Sequence, residues 1–278
     1  MTARRYATAA AVQALAERLD ARDLAVLARV SDLRFVSGDQ LQRLHFASAG
    51  SAPANARAAR RALLRLVRLG ALTRLERRVG GVRAGSGGFV YRLSVLGLRL
   101  AEDQGFRPAR PRRRSLVPGT LFVAHALAVA ELHTGLVEAD RAGDIELLRL
   151  VAEPACWHSY SWNGHQAVLK PDSYVELGVR KFIDSYFIEV DRGTEGSSAL
   201  RAKLRDYLAY EASGVEQRRC GVFPRVLLLV PDEARAGVVW AVIRRLPVQA
   251  RRLFAVALFG EVLTTLLASE GNQKPTLG

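Results

Sequence analysis

The run YFIEVDRGTEGSSALRAKLRDYLAYE, residues 186–211, constrains the fold more than any other stretch. It opens as an apolar strand and ends as an amphipathic helix, which is the unit from which layered α/β structures are assembled. On a strand, Phe187, Glu189 and Asp191 share one face. On the helix, Leu200, Leu204, Tyr207 and Leu208 form the apolar stripe, and Lys203 lies inside that arc. A lysine facing a core is costly unless it snorkels or meets an anion. Glu189 and Asp191, at the end of the preceding strand, are the nearest anions in sequence. Upstream, Asp172 follows Pro171, which must break or bend its own strand. Clustered carboxylates repel one another unless a cation sits among them, and hard oxygen donors of this kind suit Mg²⁺ or Mn²⁺.

The rest of the second half fills in around this unit. Residues 119–142 read as a long helix. IELLRLVAE, HQAVLKPDSYVEL (with a kink) and KFIDSYFIEVD read as strands, followed by the helix SSALRAKLRDYLAYEAS. FPRVLLLVP is a buried strand, DEARAGVVWAVIRRL a helix and RLFAVALF a short final strand. The order αβββαβαβ predicts an α/β layer with a mixed central sheet rather than a doubly wound parallel one. ACWHSYSWNGH is expected to be a loop with core aromatics. Cys156, His158 and His165 within it have spacing too loose for a zinc site. The apolar tail LFAVALFGEVLTTLLA is broken by Gly260 and Glu261 and reads as buried structure. No window reaches the ~18 apolar residues of a membrane span. Two distant cysteines, Cys156 and Cys220, make no disulfide framework and point to a reducing cytoplasm.

The first half differs in charge. Residues 1–118 hold 23 Lys and Arg against 8 Asp and Glu, a net +15, while residues 119–278 hold 18 against 19. The whole surplus of +14 therefore lies in the first part, as for a polyanion-binding module joined to a near-neutral one. The pattern there is helix (ARDLAVLARVSDL), helix (SGDQLQRLHF, with Ser37 as N-cap) and helix (PANARAARRALLRLVRLG). Strands at Leu72–Arg78 and Phe89–Leu93 follow, joined by a glycine-rich tip bearing Arg83, and then the closing helix SVLGLRLAEDQG. Arg57, Arg61, Arg65 and Arg68 fall within one arc of about 80° on the third helix, opposite Ala59, Leu63 and Leu66. With Arg60 beside them, these guanidinium groups suit phosphate and guanine. A solvated helix would interleave Glu or Asp, and this one has none. The order is that of a winged helix-turn-helix, whose third helix would enter the major groove while Arg77, Arg78 and Arg83 of the wing reach phosphate or the minor groove. The expected domains are thus 1–104, a winged-helix DNA-binding domain; 105–118, a basic Pro/Arg linker (GFRPARPRRRSLVPG); and 119–278.

The segments LKPDSYVEL, YFIEVDRGTEG and LRAKLRDYLAY resemble the core of PD-(D/E)xK nucleases. The arrangement as a whole, over roughly residues 22–235, is similar to the replication-relaxation family of plasmid and mobile-element proteins. Its most specific part is E-x-D-x-G-T-E followed by K-L-x-x-Y. The resemblance implies that Asp172 and Glu189 hold a metal ion and that a lysine assists the attacking water or the phosphate. The sequence departs from the pattern two residues after Glu189, where lysine is usual and Asp191 stands; Lys203 on the next helix is the substitute. Glu131 on the helix 119–142 would complete the metal site, with His125 another contributor.

Two functions follow. One is a DNA-binding protein of plasmid or mobile-element replication or transfer with an Mg²⁺- or Mn²⁺-dependent nicking domain, in which Asp172, Glu189, Asp191 and Lys203 do the chemistry. The other is a non-catalytic DNA-binding regulator or replication accessory protein that uses the nuclease-like domain as a scaffold for dimerisation or partner binding. Expected partners are double-stranded and single-stranded DNA, a second copy of the chain, and replication or conjugation proteins, with no membrane and a cytoplasmic, nucleoid- or plasmid-associated location.

Overall fold

The protein is described by a computed structural model that covers residues 7–47, 50–75, 88–106, 119–179, 182–268 and 273–275. It forms two compact units, residues 1–134 and 135–278.

In the first unit α1 (Ala9–Ala16) and α2 (Ala21–Leu33) lead into β1 (Val36–Ser37), α3 (Gly38–His45) and α4 (Ala52–Arg68). A short sheet then forms from β2 (Leu72–Leu75) and β3 (Val90–Leu93), and α5 (Val95–Asp103) follows. Local chemistry sets the helix starts. Asp20 and Asp23 form a reciprocal capping box on α2, Ser37 and Gln40 do the same on α3, and the Ser94 side chain caps α5. The strands pair antiparallel in the order β1-β3-β2. Val26, Leu27 and Val30 of α2 are buried, as are Leu41 and Leu44 of α3, Leu63 and Leu66 of α4, and Leu100 of α5. Gly97 admits no side chain, because a Cβ there would come within 2.0 Å of the Ala71 carbonyl oxygen. The three expected helices, the two strands and the closing helix are therefore all present. The expected strand Leu72–Arg78 is seen as far as Leu75, and its remainder, with the glycine-rich tip, lies outside the described residues, as does most of the expected linker.

The long helix α6 (Thr120–Ala142) has Val123, Ala126, Val129, Ala130, Leu132, Leu136 and Ala139 buried. In the first unit, Val123 and Ala126 pack with Phe35 and Val90. The expectation that no segment is apolar and long enough to cross a membrane needs correction, since α6 passes that test by length and composition. Packing of one face accounts for that composition, and His133 and Thr134 are buried within the same helix.

The second unit continues with β4 (Glu146–Ala152), β5 (His158–Trp162), β6 (His165–Leu169), β7 (Ser173–Val179) and β8 (Phe182–Val190). It goes on through α7 (Ser197–Ala212), α8 (Val215–Cys220), β9 (Arg225–Val230), α9 (Glu233–Ile243) and α10 (Val248–Arg251). It closes with β10 (Phe254–Leu258), α11 (Val262–Ala268) and β11 (Gln273–Pro275). Five strands make a mixed sheet in the order β10-β9-β8-β7-β4, and β11 pairs with the start of β8. The β4/β7 and β7/β8 pairs are antiparallel, and β8/β9 and β9/β10 are parallel. The α7–α8 crossover makes the parallel β8/β9 pairing possible. β9 is an unbroken apolar run with Val226 to Val230 all buried, as a strand covered on both faces requires.

Residues 155–165, expected to be a loop, hold β5 and the turn of the β5–β6 hairpin, with Trp162 opposite His165 and a two-residue turn at Asn163–Gly164. Both turn residues have positive φ, 48° and 79°, the conformation that Asn-Gly supplies between paired strands. The expected kinked strand is two strands, β6 and β7. The short elements α1, β1, α8, α10, α11 and β11 were not expected from the sequence.

Candidate functional site

The backbone of the kinked segment delivers the first carboxylate. Asp172 stands just ahead of β7, where its N–H donates to the Ile188 carbonyl of β8 (3.1 Å). Its Oδ2 accepts from the Val190 N–H (2.7 Å), which sets the carboxylate against β8. Glu189 lies between those two β8 residues and is 3% exposed. The buried Cys156 thiol donates to the Pro171 carbonyl (3.1 Å) and so ties down the bend before Asp172.

The α7 helix supplies the groups that meet Glu189. Lys203 and Tyr207 are one turn apart on the inward face. The Lys203 amine is 2.8 Å from Glu189 Oε2, and the Tyr207 hydroxyl donates to Oε1 at 2.5 Å. Lys203 also donates to Glu195 Oε1 at 3.1 Å. Each oxygen of Glu189 is thus engaged by α7, and Lys203 turns toward the sheet. The expected pairing with Glu189 is present.

Asp191 goes elsewhere. Its Oδ1 accepts from the Gly193 N–H (2.7 Å), and its Oδ2 takes two guanidinium nitrogens of Arg235 on α9, at 2.7 and 2.9 Å. Arg235 further donates to the Glu195 carbonyl (2.8 Å), so it pins the turn between β8 and α7. The carboxylate that stands where the nuclease pattern has lysine therefore holds that turn together through an arginine 44 residues away.

The electrostatics follow from this crowding. Burial, and then the neighbouring Asp172 charge, push the Glu189 carboxyl up to about 7, against the opposing pull of Lys203 and Tyr207. Burial works against the Lys203 ammonium, but Glu189, Asp172 and Glu195 outweigh it and hold the amine protonated above its ordinary range. Burial and the Glu189 charge keep the Tyr207 phenol protonated, so it acts as a donor. Asp172 and Glu189 thus bring two buried carboxylates together beside the Lys203 ammonium. Their oxygens are the hard donors that a divalent cation such as Mg²⁺ or Mn²⁺ takes.

Glu131 has partners within the first unit. It accepts from the Gln40 side chain (2.9 Å) and from Arg43 (2.6 Å), a use the sequence reading did not foresee. His125 lies on the same helix. His158 and His165 stand at opposite ends of the β5–β6 hairpin, so they are not gathered into one site. His158 sits instead 3.7 Å from the buried Glu216, which also receives Tyr210 and Arg219 (2.6 Å).

On α4, Arg57, Arg60, Arg61, Arg65 and Arg68 are all exposed, while Ala59, Leu63 and Leu66 are buried. The arginine face read from periodicity is therefore real. Arg65 has a second task, since it pairs with the buried Asp23 of the α2 capping box and donates to the Arg18 carbonyl (3.2 Å). Arg77, Arg78 and Arg83 lie outside the described residues.

A family model described as replication-relaxation matches residues 27–226, most of the chain. The chain belongs to the replication-relaxation family. Membership ties it to the replication or relaxation of plasmids or mobile elements. No curated protein and no solved structure matches it. In this replication-relaxation protein, three residues of the site were given no site role from the sequence, although Tyr207 and Glu195 stand in the quoted K-L-x-x-Y and E-x-D-x-G-T-E runs: Tyr207, Glu195 and Arg235. Tyr207 had a usable signal, four residues after Lys203 on the same stripe. Glu195 belongs to the E-x-D-x-G-T-E run. Nothing local marks Arg235.

Proposed function

We propose that the chain is a DNA-binding protein that cuts DNA in a metal-dependent way during plasmid or mobile-element replication or transfer. The observation that carries this reading is the meeting of two buried carboxylates, Asp172 and Glu189, with the Lys203 ammonium on a β7–β8–α7 scaffold. Asp172 and Glu189 would hold Mg²⁺ or Mn²⁺. When bound, the ion supplies Lewis acidity toward a phosphodiester and a more acidic water. The protein's own residues do the rest. Lys203, kept protonated by its carboxylate neighbours, offers a cation to the phosphate oxygens. Tyr207 fixes the orientation of the Glu189 carboxylate. Asp191, held by Arg235, keeps the β8–α7 turn in place. The first unit, read as a winged helix-turn-helix, would select the DNA through the exposed arginines of α4, with Arg77, Arg78 and Arg83 as further contacts, and the second as a PD-(D/E)xK-like domain.

The test is cleavage of supercoiled and single-stranded DNA with Mg²⁺ or Mn²⁺ by the full chain beside Asp172→Asn and Glu189→Gln. Both variants keep the size and shape of the side chain they replace while removing its charge, and both are expected to lose cleavage by at least ~100-fold. Activity that persists in both would reject this assignment. One observation favours the second reading, a non-catalytic regulator, and it is the use of Asp191 as an Arg235 partner where the nuclease pattern carries lysine. That reading predicts tight DNA binding with no cleavage on any of these substrates.

A further inference from the structure

The α9 helix is apolar on nearly every side, with the sequence EARAGVVWAVI. Ala236, Val239, Val242 and Ile243 are buried against α7, β9 and β10. The opposite side carries Ala234, Gly237, Val238, Trp240 and Ala241, all exposed, with Val238 at 40% and Trp240 at 36%. Val248, at the start of α10, is 63% exposed. A helix of a water-soluble layer normally turns charges outward, and one that is apolar all round is normally covered all round. Arg235, the one cation within α9, is drawn away to Asp191.

The charges at the two ends say what covers it. Asp232 and Glu233 stand at the N-terminal end and Arg244 and Arg245 at the C-terminal end, all exposed. Glu233 and Arg244 are eleven residues apart, so they lie on the same flank, about 20° apart around the axis, at opposite ends of roughly 16 Å of helix. When a helix packs against its own copy about a two-fold axis, the same flank at opposite ends is brought together. Glu233 of each copy then meets Arg244 of the other, and a cation would not face a cation. Gly237 and Ala241 at the centre let the backbones approach, and a Cβ at Gly237 would meet no atom within 4 Å. Macromolecules of uniform charge, DNA included, would match one end of this face and oppose the other.

We infer that the outward face of α9 is a self-association surface, on which two copies of this chain pair antiparallel through Gly237, Val238, Trp240 and Ala241, clamped at both ends by Glu233–Arg244 ion pairs. The inference does not depend on the proposed cutting activity. One helix face per copy makes a small interface, of the weak, micromolar class.

Sedimentation equilibrium of the full chain over about 1–200 µM tests it. The wild type is expected to reach twice the 30.4 kDa chain mass. Ala241→Glu, at an exposed position, should leave a folded monomer, checked by circular dichroism. Glu233→Arg and Arg244→Glu should each raise the dimer Kd by about tenfold or more, since each sets like charges face to face at both ends. The double variant Glu233→Arg/Arg244→Glu should return to within about threefold of wild type. A wild type that stays monomeric at 200 µM, meaning that this face is covered in another way, would overturn the inference. So would a dimer indifferent to Ala241→Glu, or a double variant that is no better than the single ones.

Discussion

Glu189 is the residue on which the site turns. Its carboxyl is buried beside Asp172, and its folded-state pKa of about 7 lies above the ordinary glutamate value of 4.5. The folded protein therefore holds this proton more tightly than the unfolded chain does. Stability from this group is complete below about pH 4.5 and is lost as pH rises toward 7, by about 3 kcal/mol in all. Urea unfolding without divalent ions should show that loss between pH 5 and pH 8, and Glu189→Gln should flatten it. An unchanged pH profile in Glu189→Gln would show that the carboxyl is not strained in this way. Tyr207→Phe removes a buried donor to the same carboxylate and should cost about 1–2 kcal/mol, with the loss larger at pH 8, where Glu189 is ionised, than at pH 5. Equal losses at both pH values would mean that Tyr207 acts by packing alone. At this scale the sequence was partly legible. Lys203 on an apolar stripe announced a buried anion, because a lone ammonium in a core is untenable. Which anion it meets depended on the turn after β8, which sends Asp191 to Arg235, and no local pattern carries that.

Among the elements, α4 separates recognition from architecture. Its exposed arginines look equivalent by period, yet Arg65 is tied to the buried Asp23, whereas among the described residues Arg57 and Arg61 pair with no carboxylate. Arg57→Ala with Arg61→Ala should weaken DNA binding and leave the melting temperature within about a degree. Arg65→Ala should lower stability by about 1–3 kcal/mol, because it strips a buried carboxylate of its partner. If Arg65→Ala melts like wild type, the Asp23 pair is worth nothing and Arg65 belongs with the other arginines. Helices with a clear 3.6-residue stripe and a capping residue, such as α2 and α3, were legible almost to the residue. The β5–β6 hairpin was not, although Asn163–Gly164 is the turn dipeptide that specifies one. Its first strand, HSYSW, alternates serine with His158, Tyr160 and Trp162, ring residues with polar atoms that make a weak apolar face, and its second, HQAVL, runs on in sequence toward β7.

For the whole molecule, charge division was the most legible property, and it is also testable. The +15 of residues 1–118 against −1 for the remainder predicts DNA affinity that falls steeply with salt, by about 10³-fold or more between 50 and 200 mM. Affinity indifferent to salt would remove phosphate from the account. The mixed sheet was legible because β9 and β10 are apolar runs and β4, β7 and β8 are mostly apolar, each bounded by turn residues. The order in which they pair was not, since register and neighbour choice depend on distant partners. The central claim is that Asp172 and Glu189 form one divalent-cation site. Titration of the full chain with Mn²⁺, followed by electron paramagnetic resonance, reads that directly. The account predicts one bound ion in the wild type, at least tenfold weaker binding in Asp172→Asn and in Glu189→Gln, and no change in Glu131→Gln, whose carboxylate serves Arg43. Mn²⁺ binding that is the same in all four proteins would contradict it.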